Sequence, residues 1–151
     1  MSTPLVVLTV AAAVGSAAVG GVFFAFSTFV MAAVRRLPAA QGVAAMQSIN
    51  VTAPMPPLML LMFGTALACV VVALIDGSLW LVAGAVVYLV GEIAVTVAFN
   101  VPRNHELARL DPASAEAAER WPSWVAEWTA GNHVRTVSGV AAAGLLIQAT
   151  L

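Results

Sequence analysis

Hydropathy divides the chain into four long apolar blocks. Leu5 to Val34 carries no charge and ends at Arg35-Arg36, and Leu58 to Ile75 stops at Asp76-Gly77-Ser78. Leu79 to Phe99 contains one ionisable residue, Glu92, and the last block begins near His133 and runs to Leu151. A bilayer core of about 30 Å takes about 20 helical residues, so each block can span it. Backbone groups in lipid need internal partners, which long helices supply. The pattern predicts an all-α, integral membrane four-helix bundle with spans over 5–34, 58–75, 79–99 and 133–151. Short cytoplasmic connecting helices join the spans, and residues 1–151 form one domain.

Composition removes the competing classes. Hydrophobic residues make up 62% of the chain and charged ones 9%, whereas a soluble domain is about 25% charged. Net charge is -1, lysine is absent and the six arginines form no basic run, which excludes nucleic acid as a partner. The single cysteine, Cys69, has no intrachain partner for a disulfide. Gly15-Ser16-Ala17 would suit a signal peptidase, but no positive charge precedes the apolar run and the run continues well past it, so an uncleaved span is expected. Arg35 and Arg36 fall in the first connection, Arg103, Arg109 and Arg120 in the third, and Arg135 opens the fourth span. The positive-inside rule then places connections 35–57 and 100–132 in the cytoplasm and both termini outside, in a multi-pass plasma-membrane protein. Ala12, Ser16 and Gly20 on the first span, and Gly139 and Ala143 on the fourth, form small-residue stripes. Such stripes suit close helix packing within the bundle or between copies in a homo-oligomer.

Candidate chemistry gathers at the cytoplasmic side. Tyr88, Glu92, Thr96 and Asn100 recur every four residues and predict a polar stripe on the third helix. A carboxyl at that depth costs about 2.5–3.5 kcal/mol unless paired or neutralised. A structural Glu92–Arg135 pair, a protonated Glu92 bonded to Tyr88, and a proton-accepting or pocket-lining Glu92 all stay open. Pro102 is expected to end the third helix at Asn100, and Asp111-Pro112 to cap a short helix. Trp121, Trp124 and Trp128 share a helical face, either as an interfacial belt or as a flat wall for an aromatic ligand. His133 stands at the start of the fourth span, where a histidine can act as base, ligate a metal or bond a carbonyl. His105 lies in the polar connection. Met55, Met59 and Met62 align on one face, where packing and soft-metal binding are the alternatives.

Four segments together resemble the anthrone oxygenase-like family of small four-helix membrane proteins over nearly the full chain. They are Gly20-Gly21-Val-Phe-Phe-Ala-Phe-Ser27-Thr28-Phe-Val-Met31, Met46-Gln-Ser-Ile-Asn50, Asn100-Val-Pro-Arg-Asn104 and Trp128-Thr-Ala-Gly-Asn132-His133-Val-Arg135-Thr136. A bulky aromatic is expected before Asn132; Gly131 stands there instead, a departure expected to enlarge a pocket. The resemblance implies oxidation of an anthrone-like aromatic polyketide to a quinone by O2, without an organic cofactor. His133 would be the base. Asn100, Asn104 and Asn132 would donate hydrogen bonds to the developing oxyanion, Arg135 would supply fixed charge, and Glu92 would complete the catalytic set. Trp128, Trp124, Phe26, Ser27, Met31, Asn50 and Tyr88 would line the substrate site, the partners being a hydrophobic aromatic molecule, O2 and the bilayer. Two other readings stay open: a membrane oxidoreductase with haem or a metal ion on His133, and a non-enzymatic bundle acting as a small carrier or assembly subunit.

Overall fold

The computed structural model describes residues 1–151 and contains helices and no strand. Five helical rods follow one another: α1 Thr3–Arg35, α2 Ala39–Thr52, α3 Pro56–Asp76, α4 Leu79–Ala108 and α5 Ala115–Gln148. Three of them, α1, α3 and α4, are long and apolar enough to cross a membrane. Their outer faces carry exposed Val7, Phe29, Leu67, Leu74, Val86 and Val97, the surface expected of helices solvated by lipid tails.

Helix ends follow local chemistry. Pro56 and Pro57 open α3, where the missing N–H has no partner to lose. Gly77, at φ 72°, provides the left-handed turn that ends it. Ser78 caps α4 by accepting from the Leu81 N–H. Pro102 does not end α4, contrary to the expectation from sequence: Val101 stays helical and the rod continues to Ala108. The reason is the π-helical turn Thr96–Asn100 just before it. An i→i+5 turn is wider than an α turn, and the proline ring gains room against the preceding carbonyls. The cap at the next helix also differs from expectation. Asp111 uses its side chain to accept from the Ala113 N–H, and Ser114 is the residue that caps, accepting from Ala117 N–H at 3.1 Å. The helix it starts is 34 residues long, so the tryptophans and the fourth apolar block share one rod, with Pro122 on its exposed side.

The α1 and α5 stripes pack within the chain. A Cβ on Gly139 would lie 2.8 Å from the Gly20 Cα and 2.9 Å from the Ser16 carbonyl, so only glycine permits this backbone approach. Two apolar cores result. One includes Val19, Met62, Val72, Leu81, Tyr88 and Leu146; the other includes Met31, Met46, Leu107, Trp121, Trp124 and Trp128. Along α1, α4 and α5 alike, a buried polar layer separates them.

The second core is fastened by polar ties. Gln47 of α2 donates to the Leu107 and Leu110 carbonyls, both at 2.9 Å, tying α2 to the C-terminal end of α4. Arg120 of α5 bridges Glu106 and Glu127, and Arg103 reaches Glu127 at 3.1 Å. The Arg120 hydrogen bond holds the Glu127 carboxyl below the usual carboxylate range. A depressed folded pKa means stabilisation that is present above the unfolded value of about 4.3 and lost as pH falls through the folded one. Solvent screening limits this surface network to about 1 kcal/mol or less. The thermal midpoint of the detergent-solubilised protein is therefore expected to drop on acidification below about pH 4, with Glu127→Gln removing part of that step. An identical acid profile for the variant would show that the network contributes nothing.

Candidate active site

The polar layer is built from three helices. On α1, the Phe23 carbonyl, just before a π-helical turn at Phe26–Val30, accepts from α5. Asn132 donates to that carbonyl at 2.6 Å and to Ser27 Oγ at 2.7 Å, while its own oxygen accepts from the Arg135 guanidinium. Arg135 also donates to Thr96 Oγ1 at 3.3 Å. Its guanidinium carbon lies 3.9 Å from the Phe23 ring centroid and 5.3 Å from that of Trp128, and its Nε has no partner. The side chain is buried, and no carboxylate oxygen comes within 4.0 Å of it. It is a desolvated cation held by neutral dipoles and aromatic faces.

Arg135 forms part of the wall of a cleft of about 650 Å³, its open mouth included. Phe23, Phe26, Trp128, Leu58, Met59 and Met62 are among its apolar lining, and Asn50, Thr96 and Asn104 are its remaining polar groups. Asn50 Nδ2 is buried there without a partner. Asn104 is oriented by Trp128, whose indole N–H donates to its Oδ1 at 2.8 Å. An apolar groove lined by Val22, Phe26, Ile49, Met55 and Leu58 adjoins the cleft on one side. A more polar groove, with Gln47 and His105, shares Asn50, Pro54, Val101 and Asn104 with it.

The geometry sorts the residues singled out from sequence. Arg135, Asn104, Asn50, Trp128 and Phe26 line the cleft. Asn132 and Ser27 stand behind it and fix Arg135 and the wide turn of α1. Asn100 is buried, donates to the Trp128 carbonyl at 3.1 Å, and leaves its own oxygen unpartnered. Glu92 is also fully buried, with both carboxyl oxygens unpartnered. The expected Glu92–Arg135 ion pair is absent, and Tyr88 donates to the Met62 carbonyl at 3.0 Å instead of to Glu92. Met31 and Trp124 belong to the second apolar core. Tyr88 belongs to the first.

Four placements correct the expectations. His133 is exposed on α5 and lines a separate groove with Arg35, because its position on the helix turns it away from Asn132 and Arg135. His105, which sequence separates from the site, lines the polar groove beside Asn104. The tryptophan face is no interfacial belt: Trp121, Trp124 and Trp128 are buried and stacked, and Trp128 alone of the three reaches the cleft. Gly131 opens no pocket, since a Cβ there would lie 2.5 Å from the Phe99 ring and 2.7 Å from Asn100 Oδ1. Phe23 and Met62 also line the cleft. Nothing in sequence separates them from core positions, although Phe23 lies within the first matched segment.

A buried arginine and paired asparagines around an aromatic cleft belong to the segments on which the family resemblance rests. The sequence profile of the family described as anthrone oxygenase matches residues 46–145. The chain belongs to that family. The matched region contains α3 and α4, the second half of α2, most of α5, and every polar residue of the cleft. No curated protein and no solved structure matches the chain.

Proposed function

We propose that this protein is a membrane-embedded oxygenase that converts an anthrone-like aromatic polyketide into a quinone with O2. The observation that carries the reading is Arg135, a buried guanidinium without a carboxylate partner at an aromatic-walled cleft. Such a group is complementary to an oxyanion that forms on an apolar, ring-shaped molecule. An anthrone has an acidic benzylic C–H conjugated to its ketone. Loss of that proton gives an enolate whose oxygen gains charge-assisted hydrogen bonds from Arg135 and an N–H from Asn50. The proton leaves to water in the polar groove, where the His105 imidazole can accept it.

The electron-rich enolate transfers an electron to O2, and the radical pair closes to a carbon-bound peroxide anion, which takes back the proton released to the polar groove and becomes a hydroperoxide. Loss of the remaining C–H proton breaks the O–O bond, leaving one oxygen atom as the new carbonyl and the other in water. The protein contributes an anion site, aromatic walls and a dry chamber, and the scheme uses no organic cofactor. Trp128 and Phe26, with ring centroids 6.1 Å apart, would flank the ring system. Oxygen uptake by the purified protein in lipid vesicles, supplied with a generic anthrone, should match substrate consumed one for one. The absorption spectrum should show no Soret band. Uptake no faster than in empty vesicles would overturn the assignment; a Soret band lost on replacing His133 would favour haem chemistry.

In the membrane, the reading places four spans, with the C-terminal half of α5 as the fourth beside α1, α3 and α4. Both termini then face outward, and the cleft mouth lies toward the cytoplasmic side of the plasma membrane. One-sided arginines and the α1–α5 glycine contact support this arrangement. Single cysteines at Ser78 and Ala115, in a Cys69→Ala background, are expected to react with impermeant reagent from opposite sides. Reaction of both from one side would sink the four-span topology.

A further inference from the structure

On a different face of the molecule, α1 and α5 border a shallow groove of about 580 Å³, open side included, lined by Thr28, Arg35, Thr129 and His133 among others. It shares no lining residue with the catalytic cleft. Its polar groups are mostly donors. Arg35 carries a permanent charge and sits at the end of the long apolar rod, while His133 offers an imidazole N–H. Thr129 Oγ1 is buried without any hydrogen-bond partner, and Thr28 is held by the Phe24 carbonyl at 2.7 Å. No acidic side chain lines the groove.

One helical turn deeper on each wall the chemistry changes. Phe24 lies four residues before Thr28 on α1, and Val137 four residues after His133 on α5. Because the helices are antiparallel, both steps lead away from Arg35, and both side chains are exposed, at 55% and 67%. A donor-rich, cationic pocket thus continues into an uncovered apolar surface. A free inorganic anion would use only the upper part; a phospholipid would use both.

We infer that this groove binds an anionic phospholipid, its headgroup phosphate taken by Arg35, His133 and Thr129 and an acyl chain laid over Phe24 and Val137. Basic pockets between membrane helices on the cytoplasmic side recognise such headgroups. Occupancy would cover the α1–α5 seam directly behind Ser27 and Asn132, giving a donor-rich pocket on the lipid face a partner. It also accounts for His133, which the proposed oxygenase chemistry leaves unused.

Native mass spectrometry and thermal shifts on the full-length protein in neutral detergent test the assignment, with phosphatidylglycerol, phosphatidylcholine and inorganic phosphate as probes. Phosphatidylglycerol should be retained and should raise the unfolding temperature, phosphatidylcholine should bind more weakly, and inorganic phosphate should give little shift. A cationic side chain near an anionic lipid surface is worth about fivefold in affinity. Arg35→Ala should therefore weaken phosphatidylglycerol about fivefold, Arg35→Ala/His133→Ala should weaken it further, and Arg36→Ala, outside the groove, should cost less than Arg35→Ala. Both substituted side chains are exposed, so unfolding without lipid should stay near wild type. Unaltered lipid binding in the double variant, or equal affinity for phosphatidylcholine, would overturn the site. A phosphate shift as large as that of the lipid would overturn the lipid assignment in favour of a free anion.

Discussion

Replacing Arg135 by glutamine is expected to lower turnover of an accepted anthrone by about 10²–10³-fold, the usual cost of losing one oxyanion-stabilising donor from a dry site. In the proposed scheme the substrate offers the guanidinium a negative charge only when the enolate forms. The loss should therefore fall on kcat more than on KM. Arg135→Lys keeps the charge but loses the planar fork that Asn132 and Thr96 orient, and should recover only part of the rate. His105→Gln should slow the reaction less and respond to added imidazole, since its role in the scheme is to accept a proton through water. His133→Ala should affect turnover less than either. Full activity in Arg135→Gln would remove the observation on which the oxygenase reading rests. Abolition by His133→Ala in folded protein would move the chemistry to the α1–α5 groove.

Much of this arrangement was readable from sequence because the membrane simplifies the code. Uninterrupted apolar runs mark α1, α3 and the start of α4, which continues past Phe99 to Ala108, and a lone carboxyl in such a run draws attention to Glu92. The motifs also brought Arg135, Asn132, Asn104, Trp128 and Phe26 into one neighbourhood, as observed. What stayed hidden depends on helix phase. Spacing by four puts Tyr88, Glu92, Thr96 and Asn100 on one face of an ideal α-helix only with a steady drift. The π-helical stretches Leu89–Ala94 and Thr96–Asn100 change that phase. With more than four residues to an i→i+5 turn, they offset the drift and keep Glu92 and Asn100 buried on one side.

The same wide turns defeat the usual rule for Pro102, and no residue pattern in 89–100 announces them. His133 illustrates a related limit. It stands next to Asn132 in sequence, yet a step of one residue along a helix turns a side chain by more than a quarter of a circle. Adjacency in a motif therefore separates residues in space, and Asn132 and Arg135, three apart, are the pair that meet. Gly131 misleads for another reason: a missing side chain leaves a pocket only if no neighbour fills the space, and the Phe99 ring fills it.

Trp124→Ala should be the most destabilising single substitution in the second core, at about 3–5 kcal/mol. Trp124 is fully buried, with Trp121 stacked at 5.6 Å and Trp128 at 6.0 Å between ring centroids. Its indole N–H donates to the Arg103 carbonyl at 2.8 Å, tying the end of α4 to α5. Truncation leaves a cavity between two rings and removes that tie between the helices. Trp124→Phe, which keeps a ring but loses the donor, should cost about 1 kcal/mol more than its change in packing alone. Trp128→Ala separates binding from stability in the opposite sense. Its ring faces the cleft and its N–H positions Asn104, so its removal should raise KM for an aromatic substrate in protein that remains folded. Urea or thermal unfolding in detergent measures the first effect and steady-state kinetics the second. If Trp124→Ala unfolds like wild type and raises KM as Trp128→Ala does, the stack is a substrate wall throughout its length. If only Trp128→Ala changes KM, the other two indoles serve to hold that one ring rigid at the edge of the cleft.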